Sequence, residues 1–365
     1  MPVDKYTNYA YICTNNTAMK NINPLSLFDD FFNLETLSKL GDPLEKLNSS
    51  INWGVFEMPL SDAFNKSELN KGKGGRPPFS RIMLFKALII QSLYNLSDDQ
   101  LEFQIIDRAS FKRFLGLKRS DKVPDSKTFW AFREQLAENK MIEKLFQKFS
   151  EALRNAGIQA NEGKMIDASF VEVPRQRNTH DENEQIKETG KAPKEWKKNK
   201  HKMAQKDVQA TWTKKNNQTF YGYKNHVKAD LKTKFIERYI ITTASVHDSK
   251  PLSKLLVKED KYQPLFADSA YSGEPIGVFL EKRKIVNMIH EKGCRERPLT
   301  DAQKNFNKLK STFRARVEHI FGFIENSMNG SFIRTIGIKR AKTKIGLMNL
   351  TYNICRCNQL KIVLA

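Results

Sequence analysis

Two aspartates stand where apolar runs end. Asp167 follows Lys164-Met165-Ile166 and Asp268 follows Leu265-Phe266-Ala267, so each carboxylate emerges from a segment that reads as a buried strand. An ionised carboxylate in that place needs something to offset its desolvation: an arginine, a capped turn or a metal ion. Small residues follow both, Ala168-Ser169 and Ser269-Ala270, and leave room beside each carboxylate for a hydrated cation. Taken singly, either Asp is also explained as a strand-end residue capping the next turn. A third acid, Glu318, lies in Arg314-Ala315-Arg316-Val317-Glu318-His319, where helical spacing sets Arg314 one turn away on the same face. An ordinary i,i+4 surface pair accounts for that spacing as well.

The elements that must carry these acids are legible as changes of period. Residues 164–173 alternate with period 2 and stop at Pro174, which reads as a strand. Residues 220–230 and 235–246 are β-branched and aromatic runs separated by Leu231-Lys232-Thr233-Lys234, the pattern of an antiparallel hairpin. A helix over 252–257, a short buried strand over 264–267, a helix over 276–283 and a strand over 285–289 follow. A long basic helical stretch is expected over 301–324, and an amphipathic helix over about 339–357. Between the first strand and the hairpin, residues 175–218 lose periodicity and crowd lysines such as Lys191, Lys194, Lys197 and Lys198, which predicts a solvated, mobile insertion.

Upstream of this the period is 3.6. Ile82, Leu84, Phe85, Leu88, Ile89 and Leu93 mark one wide apolar face, and Ser97-Asp98-Asp99-Gln100 forms a capping box for the next helix. After Gly116, Asp125 or Ser126 caps a helix in which Phe129, Phe132 and Leu136 hold the bundle. Lys127, Trp130 and Arg133 then lie on its other side, where a helix-turn-helix-like unit would place them in a DNA groove. A plain packing unit has the same pattern.

Charge narrows the partners. The chain has 365 residues, with 62 Lys+Arg against 41 Asp+Glu, a net charge of +21. Residues 1–160 hold 22 basic and 19 acidic residues (+3), whereas residues 161–365 hold 40 and 22 (+18). A field of that sign attracts a polyanion, nucleic acid before membrane, because no basic amphipathic helix with a broad aromatic face is present. No apolar run approaches the roughly 18 residues that span a bilayer, and the first 25 residues lack the h-region of a signal peptide, so a cytoplasmic protein is expected. The four cysteines, Cys13, Cys294, Cys355 and Cys357, are too scattered for a disulfide framework or a structural zinc site.

The ordered set of these segments resembles the bacterial insertion-sequence transposases with a DDE triad, in particular the IS-five group of the IS-four-like superfamily. The matching text is Met165-Ile166-Asp167-Ala168-Ser169, then Ala267-Asp268-Ser269-Ala270-Tyr271, then Arg314-x-Arg316-Val317-Glu318-His319. Tyr221-Gly222-Tyr223-Lys224-Asn225-His226, Ala244-Ser245-Val246-His247-Asp248-Ser249 and Trp212-Thr213-Lys214-Lys215 look like its strand motifs, and the resemblance covers roughly residues 75–355. One departure stands out. The superfamily's Tyr and Lys around the glutamate are here Ser311 and Glu325, so their phosphate contacts do not carry over, and Lys310, Arg316 or Lys224 are the candidates by charge.

The resemblance implies an α/β RNase H-like core, a mixed sheet flanked by helices, preceded by an all-α DNA-binding domain. Residues 1–74 would form a partly irregular extension, 75–156 the helix-turn-helix-like domain, 157–335 the catalytic domain with its insertion at 175–218, and 336–365 a C-terminal basic helix. It further implies a transposase that binds terminal inverted repeats and target DNA as a homodimer or larger synaptic complex, associated with the bacterial nucleoid. Asp167, Asp268 and Glu318 would hold two Mg²⁺ ions, with Mn²⁺ as a substitute, Asp167 bridging them. Hard cations of this kind suit carboxylate oxygens and drive in-line phosphodiester cleavage. Lys127, Trp130, Arg133, Lys224, His226, Arg314 and Arg316 are the expected DNA contacts, although a lone strand histidine such as His226 or His247 is more often a packing residue. A stand-alone RNase H-like nuclease and a non-catalytic DNA-binding repressor are the competing functions.

Overall fold

The computed structural model describes residues 29–64, 78–158, 162–176, 178–215 and 217–364. Residues 1–28 and 65–74 of the expected N-terminal extension lie outside them. The chain divides into two compact units, Met1–Asp42 and Pro43–Ala365. In the first, α1 (Asp29–Leu40) carries an i,i+4 pair between Lys39 and Glu35 at 2.8 Å.

The second unit begins with helices: α2 (Pro43–Ser50), α3 (Glu57–Phe64), α4 (Arg81–Leu93), α5 (Asp98–Asp107), α6 (Ala109–Leu115), α7 (Ser126–Glu138) and α8 (Met141–Asn155). Helix α4 is buried continuously from Met83 to Ser92. It encloses even Lys86, whose amine donates to Asn48 at 2.8 Å, lies over the Trp53 and Phe114 rings, and is lowered by burial to about 8. The start signals read from the sequence are present. Ser97 and Gln100 cap α5 reciprocally, and Asp125 accepts from the Thr128 amide at 2.8 Å to begin α7.

The sheet follows. It comprises β1 (Lys164–Glu172), then, after α9 (His180–Thr189) and α10 (Lys200–Gln205), β2 (Thr211–Lys215), β3 (Gln218–Asp230) and β4 (Ile236–Thr243). Next come α11 (Leu252–Leu255), β5 (Pro264–Phe266), α12 (Glu274–Lys282) and β6 (Val286–Asn287), then α13 (Asp301–Arg314), α14 (Glu318–Gly322) and α15 (Ile338–Gln359). Strand β3 pairs antiparallel with β1 on one side and with β2 and β4 in turn on the other, while β1, β5 and β6 run parallel. Four strands in antiparallel pairings, continued from β1 by two parallel ones and flanked by helices, form the expected RNase H-like core. The β3–β4 hairpin is closed by Asp230, whose carboxylate accepts from the amides of Lys232 and Thr233. β1 and β3 cross so closely that a Cβ at Gly222 (φ 151°) would stand 2.3 Å from the Val171 carbonyl oxygen. Only glycine fits there.

Strand β1 is buried on both faces. Met165 enters the large core shared with the helices, and Ile166 a smaller one with Leu252, Leu255, Leu265 and Leu280. A buried ion network underlies its first residue: Lys164 reaches Glu237 at 2.6 Å, and Lys228 reaches Asp260 at 2.7 Å and Glu237 at 3.2 Å.

Two expectations require correction. The insertion, expected to lack periodic structure, carries helices gathered around a buried tryptophan. Trp196 is 1% exposed, its indole donates to Glu182 at 2.7 Å, and Lys202 and Lys206 lie over its ring. Asp207 then ties the insertion to its surroundings, accepting from the Tyr223 hydroxyl at 2.6 Å and the Gly337 amide at 2.8 Å. Nor is the C-terminal helix an amphipathic surface helix: α15 is buried on nearly all sides, against α2, α4, α7, α8 and β4. Its polar residues mislead because they are satisfied internally. Asn353 pairs with both backbone groups of Ile236, and Asn349 with the Asn225 amide.

Candidate active site

Sheet register sets the first two acids side by side. Met165 of β1 is aligned with Phe266 of the parallel β5, and Asp167 and Asp268 each lie two residues further along. Adjacent strands are about 4.8 Å apart, and the charge of Asp268 is felt at Asp167. Asp167 accepts from the Ala168 amide at 2.8 Å and from Nη1 of Arg314 at 2.8 Å. Asp268 caps the turn Ser269–Tyr271 through the Ala270 amide at 2.9 Å, so the capping role anticipated for a strand-end Asp is realised here too.

The helix expected over 301–324 is interrupted at the third acid. α13 ends at Arg314, a 3₁₀ turn spans Ala315–Val317, and α14 begins at Glu318. Arg314 donates through Nη2 to Glu318 at 3.1 Å while Nη1 holds Asp167. One guanidinium thus links the first and third acids. Glu318 itself is 63% exposed.

The electrostatics show a shortage of positive charge. Burial pushes the Asp167 carboxyl up to about 6, and the neighbouring Asp268 adds to that, against the Ala168 hydrogen bond and the Arg314 charge. Among the described residues no three His, Cys, Asp or Glu side chains converge on one point as metal ligands. The donor chemistry still fits a hard divalent cation: carboxylate oxygens from adjacent strands, one of them desolvated and incompletely neutralised, with a third acid joined to them through Arg314.

Three neighbours escaped the sequence reading. Tyr271 is fully buried, its hydroxyl has no hydrogen-bond partner among the described residues, and burial with the charges of Asp167, Asp248 and Asp268 raises it well above its ordinary value. His290, whose amide donates to Ala267, is lowered by burial and by Arg314 and Lys310, with Asp268 opposing. Its Nε2 stands 3.4 Å from Ser311 Oγ, at the family's tyrosine position. Asp248 pairs with Lys224 at 2.8 Å. Tyr271 closes the turn that Asp268 begins, and His290 follows β6, the strand beside β5.

Several expected DNA contacts are turned inward. Arg133 is 17% exposed and grips Asp98 with both terminal nitrogens, at 2.7 and 2.8 Å, so it locks α7 to α5 and offers no fork to a base. Lys224 is buried and neutralised by Asp248, and Lys310 is buried on the Ile289 carbonyl. His226 is fully buried, bonded to Thr242 and lowered to about 4 by desolvation. Arg314 is engaged by the acids. Glu325, at the family's lysine position, accepts from Ser169 at 2.7 Å. Lys127, Trp130 and Arg316 remain exposed.

Residues 160–354 match the family described as a transposase DDE domain, and residues 32–135 match the one described as a transposase domain (DUF772). The chain belongs to the DDE transposase family. Among solved structures, the chain is similar to a piggyBac transposase in a synaptic complex with hairpin DNA, at 12% identity and a TM-score of 0.44, covering 90% of this chain and 78% of that one. Of the two aspartates expected at strand ends, only Asp268 follows its strand; Asp167 lies inside β1, paired with Val227 of β3.

Proposed function

We propose that this DDE transposase serves an insertion sequence: it binds the element's terminal inverted repeats and cuts and joins strands at a metal-dependent centre formed by Asp167, Asp268 and Glu318. The observation that carries the reading is the parallel pairing of β1 with β5, which brings Asp167 and the turn begun by Asp268 to the same end of the pairing, with Arg314 reaching from Asp167 to Glu318.

Asp167, Asp268 and Glu318 would hold Mg²⁺, two ions in all, or Mn²⁺ in its place. The bound ions would activate a water or 3′-hydroxyl for in-line attack and stabilise the departing oxygen. The chain's own groups do the rest. The strands fix two of the acids against the core, which limits their reorganisation. Arg314 is a positioning residue that keeps Asp167 and Glu318 facing each other and offsets their charge. The exposed cations of residues 161–365 neutralise phosphates, and the helical region with Lys127 and Trp130 outward meets the element's ends. A homodimer or larger synaptic complex would bring two ends together.

The test is cleavage of a labelled duplex carrying the element's end and flank, with the purified chain and Mg²⁺. Nicks at the element boundary that vanish with EDTA support the proposal. DNA binding without cleavage under Mg²⁺ and Mn²⁺ would instead favour a repressor, and cutting without regard to the element's end a nuclease.

A further inference from the structure

Ser311 and Glu325 stand where the resemblance expects a phosphate-binding tyrosine and lysine, and of the three cations that charge nominated, Lys224 and Lys310 are buried and paired whereas Arg316 is exposed. Phosphates flanking the scissile one must nevertheless be neutralised, since each strand presents a charge about every 3.4 Å. Two further cations, Lys234 and Arg356, stand with Arg316 near the third acid.

A groove of about 580 Å³ opens beside Glu318, lined by Lys234, His319, Tyr352, Arg356 and the α14 backbone. Its cations come from distant parts of the chain. Lys234 is the hairpin-turn residue between β3 and β4, held at φ 61° with its carbonyl accepting from the Tyr352 hydroxyl at 3.0 Å. Arg356 projects from α15 and is steadied by the Thr233 carbonyl at 2.9 Å. Arg316 stands exposed beside them, donating to the Leu231 carbonyl at 3.2 Å. Among the described residues none of these three has a carboxylate partner, and Arg356 and Arg316 both press on Lys234 by charge repulsion. The carboxylate in the lining, Glu318, is answered by Arg314.

Like charges gathered without counter-charges cost stability unless an anion joins them. The groove is contiguous with Glu318, so its anion lies on the path of a strand entering the acidic site. We infer that the groove lined by Lys234 and Arg356, with Arg316 beside Lys234, is a phosphodiester-binding track that grips duplex DNA next to the scissile position. Its contacts are to backbone, so it acts on any sequence. The inference rests on the catalytic reading above for its direction, and its test separates the two.

The experiment titrates end-containing and random duplexes with the full-length wild type and with the Lys234→Gln/Arg316→Gln double variant, between about 50 and 200 mM salt. A second variant, Arg356→Gln, and a control, Lys254→Gln/Lys258→Gln at two exposed lysines outside the groove, are measured alongside, with melting curves to confirm folding. Each lost phosphate contact reduces the log–log salt slope by about 0.9, so the double variant should lose nearly 2 from the slope, equally on both DNAs. The control should change by a smaller amount. An unchanged slope in folded Lys234→Gln/Arg316→Gln, or an equal loss in the control, would overturn the inference, whether or not the wild type cleaves. A reduced slope in a protein that never cleaves would support the groove while removing the catalytic reading.

Discussion

At the residue scale, one guanidinium serves two acids: Arg314 reaches Asp167 at 2.8 Å and Glu318 at 3.1 Å. Asp167 and Asp268 were legible because carboxylates after apolar runs are costly to bury, and Glu318 by resemblance and by its helical spacing from Arg314. The contact from Arg314 to Asp167, 147 residues away, is made only by the fold. The charge on Asp167 carries its own consequence. Its folded carboxyl is raised to about 6 from an ordinary 3.8, chiefly by burial, so the native state holds a proton more tightly than the unfolded one between those values. Stability therefore falls as pH rises from about 4 to about 6, and the cost is fully present above that. Asp167→Asn removes it. The metal-free variant should melt higher than wild type at pH 8, by up to about 3 kcal/mol, with the advantage vanishing near pH 4. A lower melting point at pH 8 would mean that the Arg314 contact outweighs desolvation.

Arg133 shows the opposite error at the same scale: helical spacing placed it on the outward side of α7, yet a carboxylate on α5 draws it in. Burial by itself would raise the Asp98 carboxyl, but hydrogen bonds and charge from Arg133 hold it below its ordinary value. Arg133→Ala leaves that half-buried carboxylate with the Gln91 hydrogen bond but without its ion-pair partner, and should cost about 1–3 kcal/mol in thermal or denaturant unfolding. Its affinity for terminal-repeat DNA, measured where the variant is folded, should fall no more than its affinity for random DNA. A selective loss on the repeat would restore the residue to base recognition.

At the element scale, type and order were largely legible: the capped helices, β1, the hairpin and the short β5 all follow from period and turn chemistry. What failed was the assumption that polar means exposed. In the insertion, one tryptophan surrounded by lysines reads as a solvated stretch, whereas Glu182, Lys202 and Lys206 close over Trp196 and make it a core. In α15, Asn349 and Asn353 break the apolar period because they bond to the sheet. The insertion makes a prediction of its own. Limited proteolysis should leave residues 180–206 intact in wild type and cut them rapidly in Trp196→Ala, which removes the side chain around which they fold. Rapid cutting of the wild type there would show that the stretch is mobile after all.

At the scale of the whole molecule, the helices and the sheet share one core through α15, so the second unit is best tested as a full chain and not in pieces. Among the described residues no helix is long and apolar enough to cross a membrane. The charge of +21, gathered mostly after residue 160, was legible from composition; the groove that organises part of it was not, because Lys234, Arg316 and Arg356 meet only when the hairpin, the 3₁₀ turn and α15 pack together. The full chain should lose at least about a hundredfold in affinity for random duplex between 50 and 200 mM salt, and a flat dependence would reduce the charge to background composition.

The central claim is that three acids act as one metal-dependent centre, and amide variants test it most directly. Asp167→Asn, Asp268→Asn and Glu318→Gln keep side-chain shape while removing the oxygen charge that binds a hard cation. Each variant should bind end-containing duplex within a few-fold of wild type in a gel-shift titration, yet show no Mg²⁺-dependent strand cleavage of that duplex. Cleavage at near wild-type rate by any of the three would remove that residue from the centre, and cleavage by all three would contradict the account.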